Sequence, residues 1–430
     1  MCLLKLKSTN PKLSYILYKN PASGMQIKSI RQGYAYGFYG NAKQLSNNYI
    51  IYFKDGQNEM SYKEYSGQSY EYLNRLRYTT PIFVLNAISE FFNSTTNSKH
   101  VDDIDNVFTN QISNYAVNMD NHTFKTMGRL TSFFTDFKIQ IVEKSSNTYK
   151  IKVQTSKSMY VLLNFAVTYF SLIAMLNDND LDISEGLIDK LIRCANVIDA
   201  DYYIRYVISS RVLTYKKIFD KYKPLLEKPN MKLEFGNTAV QRRDYIQKMI
   251  QFDRSILDIG SGSGFFCIPF SQKLAKNNPT LQYYGIDIDE DELATVARKA
   301  KEKELLNIVL LNSHEKLSDK LDPKQSYDVI IAEVVEHMSK EQSQDIIRWV
   351  LNNVNYNKII ITTPNFEFNK YYHLEGFRHD DHKWELTTLQ FKEYINEIVI
   401  GFNNLKVTYL QLGDMVDGIS VSQGILIQKN

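Results

Sequence analysis

The chain has 430 residues, a net charge of +3 and 43% hydrophobic side chains. This length supports two or three domains with cores of their own, and the composition excludes a disordered chain. The near-balanced charge excludes a global basic field, so any RNA contact has to be local.

Three widely spaced cysteines, Cys2, Cys194 and Cys267, offer neither a disulfide framework nor a zinc cluster and point to a reducing cytoplasm. No basic stretch followed by an apolar run opens the sequence, so export is not expected. Aromatic and β-branched runs predict strands at Gly33 to Tyr39 and Tyr49 to Phe53. Helical spacing with a leading proline predicts a helix from Pro81 to Phe92, followed by a polar loop from Asn93 to Asp105. Met159 to Leu176 is uncharged and at the lower edge of membrane-spanning length. Asn164, Thr168 and Ser171 share one helix face there, however, which suits a buried helix of a soluble domain rather than a span. Further helices are expected at Ile183 to Val197 and Asp201 to Leu225. The first half therefore reads as α+β, with a domain boundary at 228–238, where Pro229 and glycine or asparagine breaks interrupt the periodicity. The expected domains are 1–230 and 238–430.

The second half alternates strand and helix. Strands are expected at 255–259, 283–288, 308–311, 327–332 and 358–362, with helices at 265–276, 292–305, 340–354 and 387–398. Two closing strands near 405–411 and 419–427 add an antiparallel pair. That order predicts an α/β, Rossmann-like, mostly parallel sheet of the class I methyltransferase plan, with ligands at the carboxyl ends of the strands.

Asp258-Ile-Gly-Ser-Gly-Ser-Gly264 sits between a strand and a helix. Gly260 and Gly262 let backbone pass close beneath a cofactor, and Asp258 can accept a hydrogen bond from an ammonium group. That chemistry suits the methionine moiety of S-adenosylmethionine better than a pyrophosphate. Asp287, ending the next strand, is placed to hold ribose hydroxyls, and Ser313 with His314 lies where an adenine is contacted. Glu333, Glu336 and His337 follow the fourth strand and would share a face if they entered a helix. Two carboxylates and an imidazole form an oxygen/nitrogen set suited to Mg²⁺ or Mn²⁺, with His382 or His379 as the further ligand. Asn365 and Asn369 offer donors and acceptors for a sugar edge, although an ordinary turn explains them equally. Arg378, Gln241 and Arg242 are candidates for phosphate contacts or surface ion pairs.

Three motifs, E-V-V-E-H at 333–337, T-P-N-F-E-F-N at 363–369 and R-H-D-D-H-K-W-E-L-T at 378–387, together resemble the small-RNA 3′-terminal ribose 2′-O-methyltransferase family of the HUA-enhancer type. Leu13 to Pro21, Tyr72 to Tyr78 and Asp182 to Lys190 are similar to the N-terminal half of its bacterial, RNA-repair form. The resemblance implies that Glu333, Glu336, His337 and His382 bind a divalent metal that grips the terminal 2′- and 3′-hydroxyls. It also implies S-adenosylmethionine binding by Asp258, Gly260, Gly262 and Asp287. A neighbouring imidazole, His337 or His382, is the expected proton acceptor. The expected partners are the RNA 3′-end and a polynucleotide kinase-phosphatase with its RNA ligase, in a hetero-oligomer without membrane contact. The pattern departs where the family has Phe then Trp and this chain has Trp384 and Leu386. Rival expectations are a metal-dependent methyltransferase of small diols and a scaffold that activates a ligase.

Overall fold

The computed structural model describes residues 2–30, 33–40, 47–55, 79–179 and 181–429. The motif at Tyr72 to Tyr78 lies outside the described residues. The chain divides into two compact units, Met1–Leu213 and Thr214–Asn430.

The first unit is built on a seven-stranded antiparallel sheet. Its strands are β1 (Cys2–Ser8), β2 (Gln26–Ile30), β3 (Gly33–Tyr39), β4 (Asn48–Asp55), β5 (Asn110–Asn118), β6 (Lys138–Ser145) and β7 (Thr148–Thr155). They are ordered β2-β3-β4-β1-β5-β7-β6. After the short α1 (Leu13–Ile16), helix α2 (Pro81–Asn97) starts with Thr80 accepting from the Ile82 amide and Pro81 in the first turn. The polar stretch expected from Asn93 instead continues this helix to Asn97, because Thr95 and Thr96 are fully buried and the Thr95 hydroxyl donates to the Ile16 carbonyl. Helix α3 (Asn121–Thr131) follows β5. Helix α4 (Met159–Leu176) coincides with the uncharged run and is buried. Its polar face is partly satisfied internally: Asn164 donates to the Thr96 and Tyr160 carbonyls, and Thr168 to the Asn164 carbonyl, while Asn164 Oδ1 and the Ser171 hydroxyl are buried without a partner. Helices α5 (Glu185–Val197) and α6 (Tyr202–Val212) complete the unit.

The single helix expected to end at Leu225 is broken after Val212, and its remainder, α7 (Lys216–Leu226), begins the second unit. There the strands are β8 (Met231–Lys232), β9 (Ile256–Ile259), β10 (Tyr283–Ile286), β11 (Ile308–Leu311), β12 (Tyr327–Ala332), β13 (Tyr356–Pro364), β14 (Leu405–Val416) and β15 (Ile419–Lys429). Their order is β11-β10-β9-β12-β13-β15-β14-β8, with β9 to β13 parallel and β14, β15 and β8 antiparallel. Strands β9 and β10 are buried along their whole length, as expected for parallel strands covered on both faces. The covering helices are α8 (Thr238–Met249), α9 (Cys267–Asn277), α10 (Glu290–Glu302), α11 (Lys340–Asn353) and α12 (Thr388–Val399). Capping boxes at Ser339/Gln342 and Thr387/Gln390 fix where α11 and α12 begin. This is the class I methyltransferase sheet. Strand order reverses beside β9, so the crevice at the carboxyl ends of β9 and β12 is the topological switch point where such sheets bind ligands.

Candidate active site

Two loops meet at that crevice. The first follows β9. Gly260 has φ +77° and backs onto Val334, where a β-carbon would lie 2.3 Å from Cγ2. Gly262 has φ +47°, and a β-carbon there would meet nothing within 4 Å, so its bare face is open. Its amide donates to Asp287 Oδ2 at 2.7 Å, and the Asp289 amide donates to the other oxygen at 3.0 Å. Asp287 thus braces the glycine loop. Asp258 is buried and accepts a 2.6 Å hydrogen bond from the Tyr283 hydroxyl. Burial raises its carboxyl to about 7 against that bond. Ser313 is half-buried after β11 and bonds Glu315, while the His314 ring packs 5.0 Å from Trp349.

The residues present fit a cofactor carrying an ammonium group. Asp258 is a buried carboxylate whose polar neighbour is a neutral phenol, and the Ser261 hydroxyl is buried with no hydrogen-bond partner.

The second loop follows β12. Glu333 does not start a helix. It adopts φ +57°, and Val335–His337 form a single 3-10 turn. The turn still brings Glu336, His337 and His382 together, with one ligand atom from each within 4.8 Å of the others. His337 and His382 face each other edge-on, with ring centroids 4.8 Å apart. Glu336 is fully buried; Oε2 accepts from the Thr363 hydroxyl at 3.2 Å, and Oε1 has no partner. Burial, and then the Glu333 carboxylate, push the Glu336 carboxyl well above the usual carboxylate range. Burial lowers the His337 imidazole, which favours its neutral form. A buried carboxylate with an orphaned oxygen beside two imidazoles fits a divalent cation, whose charge would relieve that desolvation.

Glu333 stands outside this trio, paired with Arg242 of α8 at 3.1 Å. His382 is buried, with Nδ1 2.6 Å from Glu385 Oε1, whereas His379 is exposed with its ring 5.1 Å from that of His382. Glu385 is in turn held by the Arg378 amide and Asn369 Nδ2. The candidates for phosphate contacts are largely committed to the fold. Arg378 donates to Asn369 Oδ1 and to the Asn365 and Val421 carbonyls, and Gln241 is buried against Glu234, Gly236 and Asp414. Asn365 and Asn369 are likewise buried and satisfied, so they are turn-forming residues here. Trp384 donates to the Met338 carbonyl at 2.8 Å, and Leu386 is buried in the same core, so the aromatic replacement leaves that packing closed.

Sequence reasoning did not single out Glu385, although it stands at i+3 from His382. It also missed the Arg242–Glu333 pair, which joins positions far apart in sequence.

A model of the Hen1 N-terminal domain matches residues 3–231. The chain belongs to the Hen1 family. A methyltransferase domain model matches residues 257–355. Among curated relatives, the small RNA 2′-O-methyltransferase of Schizosaccharomyces pombe is 27% identical over 208 residues, which cover 42% of this Hen1 chain and 54% of that protein. The small RNA 2′-O-methyltransferase of Caenorhabditis elegans is 30% identical over 144 residues, covering 30% of this chain and 32% of that one. The chain therefore spans between about a third and about half of the length of these relatives. A chain in the structure of the Pnkp1/Rnl/Hen1 RNA repair complex superposes with a TM-score of 0.77 at 23% identity, covering 99% of this chain and 100% of that one. The two share the fold from end to end.

Proposed function

We propose that this Hen1-family chain transfers a methyl group from S-adenosylmethionine to the 2′-hydroxyl of the 3′-terminal ribose of RNA, with a divalent metal, Mn²⁺ or Mg²⁺. The observation that carries this reading is the Glu336–His337–His382 cluster at the switch point, packed through Val334 against the glycine loop. The names of the relatives, the small RNA 2′-O-methyltransferases, support the same substrate class. On this reading residues 238–430 are the methyltransferase domain, and residues 1–230 are an interaction domain for a polynucleotide kinase-phosphatase and RNA ligase. The setting is a cytoplasmic hetero-oligomer.

Asp258 would accept the ammonium of the methionine moiety, Gly260 and Gly262 would let the cofactor lie on bare backbone, and Asp287 and Ser313 would face its ribose and adenine. Glu336, His337 and His382 would hold the metal, with Glu333 as the second carboxylate of the set. When bound, the metal would supply Lewis-acid polarisation of the ribose hydroxyls. Glu385 fixes the His382 ring and its tautomer: with the Nδ1 proton directed at the carboxylate, Nε2 is the nitrogen with a lone pair. Whichever of His337 and His382 leaves its lone pair off the metal would take the hydroxyl proton as the sulfonium releases its methyl group to the oxygen. The buried floor under Glu336 and Thr363 keeps water from its carboxylate and holds the acceptor geometry, so most of the rate gain is positioning.

The test is transfer of labelled methyl to a short RNA, with Mn²⁺ and with chelator, beside an RNA ending in a 2′-deoxyribose. Metal-dependent labelling of the first RNA alone, abolished by Glu336→Ala, is the expected result. Absence of labelling in both RNAs while the cofactor still binds would refute the reading.

A further inference from the structure

The antiparallel sheet of the first unit has one covered and one open face. The covered face carries Leu4, Leu6, Ala35, Ile51, Ile112 and Val153, all buried, and Phe83 of α2 packs 4.5 Å from Phe53 on it. The opposite face is defined by the register, because directly paired residues project to the same side. One row crosses six strands as Phe38, Ile50, Lys5, Ser113, Lys152 and Gln140. Two residues along lies the row Asn48, Lys7, Gln111, Gln154 and Lys138. On the other side lie Ile27, Tyr36 and Tyr52, then Ser29, Tyr34 and Lys54, while Val142 faces Lys150.

These rows hold six lysines and three tyrosines, and among their described residues no aspartate or glutamate. None of the six ammonium groups forms an ion pair among the described residues. The aromatic end is open to solvent, with Tyr34 51% and Tyr52 44% exposed, and Lys150 lies over the Tyr115 ring at 5.0 Å from its centroid. The net charge of +3 thus hides a local field of one sign on this face.

We propose that this open sheet face is a docking platform for single-stranded RNA, distinct from the methyl-transfer site. The tyrosines at β3 and β4 would stack bases, and the lysines of β1, β6 and β7 would follow the phosphates. Flat sheets with exposed rings and flanking lysines bind unpaired bases in this way, because every base offers a π-face and the backbone a regular negative charge. A protein partner is the poorer occupant: lysine is depleted from the cores of protein interfaces, yet here it occupies the centre of the sheet on β1.

The test is binding of a fluorescent circular single-stranded RNA to the full chain across a salt series. A circle has no 3′-end, so it cannot enter the proposed methyl-transfer site, and the two readings fail separately. Binding should weaken linearly with the logarithm of salt concentration, with a slope smaller by about 0.7 for each phosphate-contacting lysine changed to glutamine. Lys5→Gln and Lys152→Gln test this. Tyr34→Ala and Tyr52→Ala should each weaken binding by about fivefold to a hundredfold, and Tyr→Phe at the same positions should restore it. Circular dichroism of these surface variants should match the parent. Failure of the circle to bind, equal affinity for a duplex, or affinity untouched by the variants would overturn the proposal. So would variants that lose the RNA ligase while keeping RNA affinity, because the face would then be a protein interface.

Discussion

Gly260 and Val334 touch where the two loops of the candidate site meet, so closely that a β-carbon on Gly260 would come within 2.3 Å of Val334 Cγ2. Gly260 belongs to the loop after β9, and Val334 leads into the turn that presents Glu336 and His337. The glycine loop and the turn that carries Glu336 and His337 are therefore packed as one body. A change on either side is transmitted to the other.

Gly260→Ala should damage both functions at once. The new methyl group meets a β-branched side chain, and φ +77° disfavours any L-residue, together a cost of about 1–3 kcal/mol. Calorimetric titration should show S-adenosylmethionine and Mn²⁺ each binding about tenfold or more weakly. Gly186→Ala, at an exposed position in the first turn of α5 with open space around it, serves as the control and should be neutral or slightly stabilising. Loss of cofactor binding with unchanged metal binding would separate the two loops.

The methyltransferase half was legible because its signals are periodic and punctuated: four-residue runs of mostly apolar side chains, glycines between strand and helix, and helices alternating with strands. The trio Glu336, His337 and His382 was found from motif and position even though Glu333 does not continue into a helix. What escaped were pairings set only by tertiary structure. Arg242 meets Glu333 across the sheet's carboxyl edge, and no local pattern encodes that. Residues 110–155, three strands and a helix, gave no expectation at all, although T-Y-K-I-K-V-Q-T at 148–155 alternates strictly between half-buried and buried positions. Its buried side is Tyr, Ile, Val and Thr, and its open side is Thr, Lys, Lys and Gln. The break after Val212 was missed because helix-forming sequence resumes at Lys216, and only Leu213 to Tyr215 separate α6 from α7.

Arg242 supplies the cation that Glu333 uses at 3.1 Å, and both side chains are largely buried. Arg242→Met would leave the Glu333 carboxylate facing Glu336 with that counter-charge gone. The metal-free variant should lose about 3–5 kcal/mol, the cost of breaking a buried pair. Added Mn²⁺ should restore more of the loss than it adds to the parent, seen as a larger metal-induced rise in Tm. An equal rise in both proteins would show that Glu333 and the metal do not share charge.

Glu385 orients His382 through the 2.6 Å contact at Nδ1, and its oxygens also take the Arg378 amide and Asn369 Nδ2. Glu385→Gln keeps the shape but replaces an acceptor with a donor facing these groups. Metal affinity should fall about 10- to 100-fold, the usual penalty for losing a carboxylate behind a ligating histidine. Titration monitored by Mn²⁺ paramagnetic resonance gives this directly, without relying on turnover. Unchanged affinity would place His382 outside the ligand set.

Asp258 gives a pH signature of the cofactor-free protein. Its carboxyl is raised to about 7 in the folded chain, against an ordinary value of 3.8. Below pH 4 the group is protonated in folded and unfolded chains alike and contributes nothing. Between about pH 4 and 7 the unfolded chain ionises while the folded one keeps its proton, so stability falls as pH rises; above 7 the deficit is constant. Asp258→Asn removes the titration while keeping an oxygen to accept from Tyr283. The variant should match the parent near pH 4 and exceed it near neutrality, by as much as about 4 kcal/mol for a shift of some three units. Urea melts at several pH values measure the difference, which cancels the titration of every other group. The same variant should bind S-adenosylmethionine more weakly, because the ammonium group loses its carboxylate. A stability gain that grows with pH, together with a lost cofactor, is the expected pair; a difference independent of pH would show that Asp258 ionises normally in the folded chain.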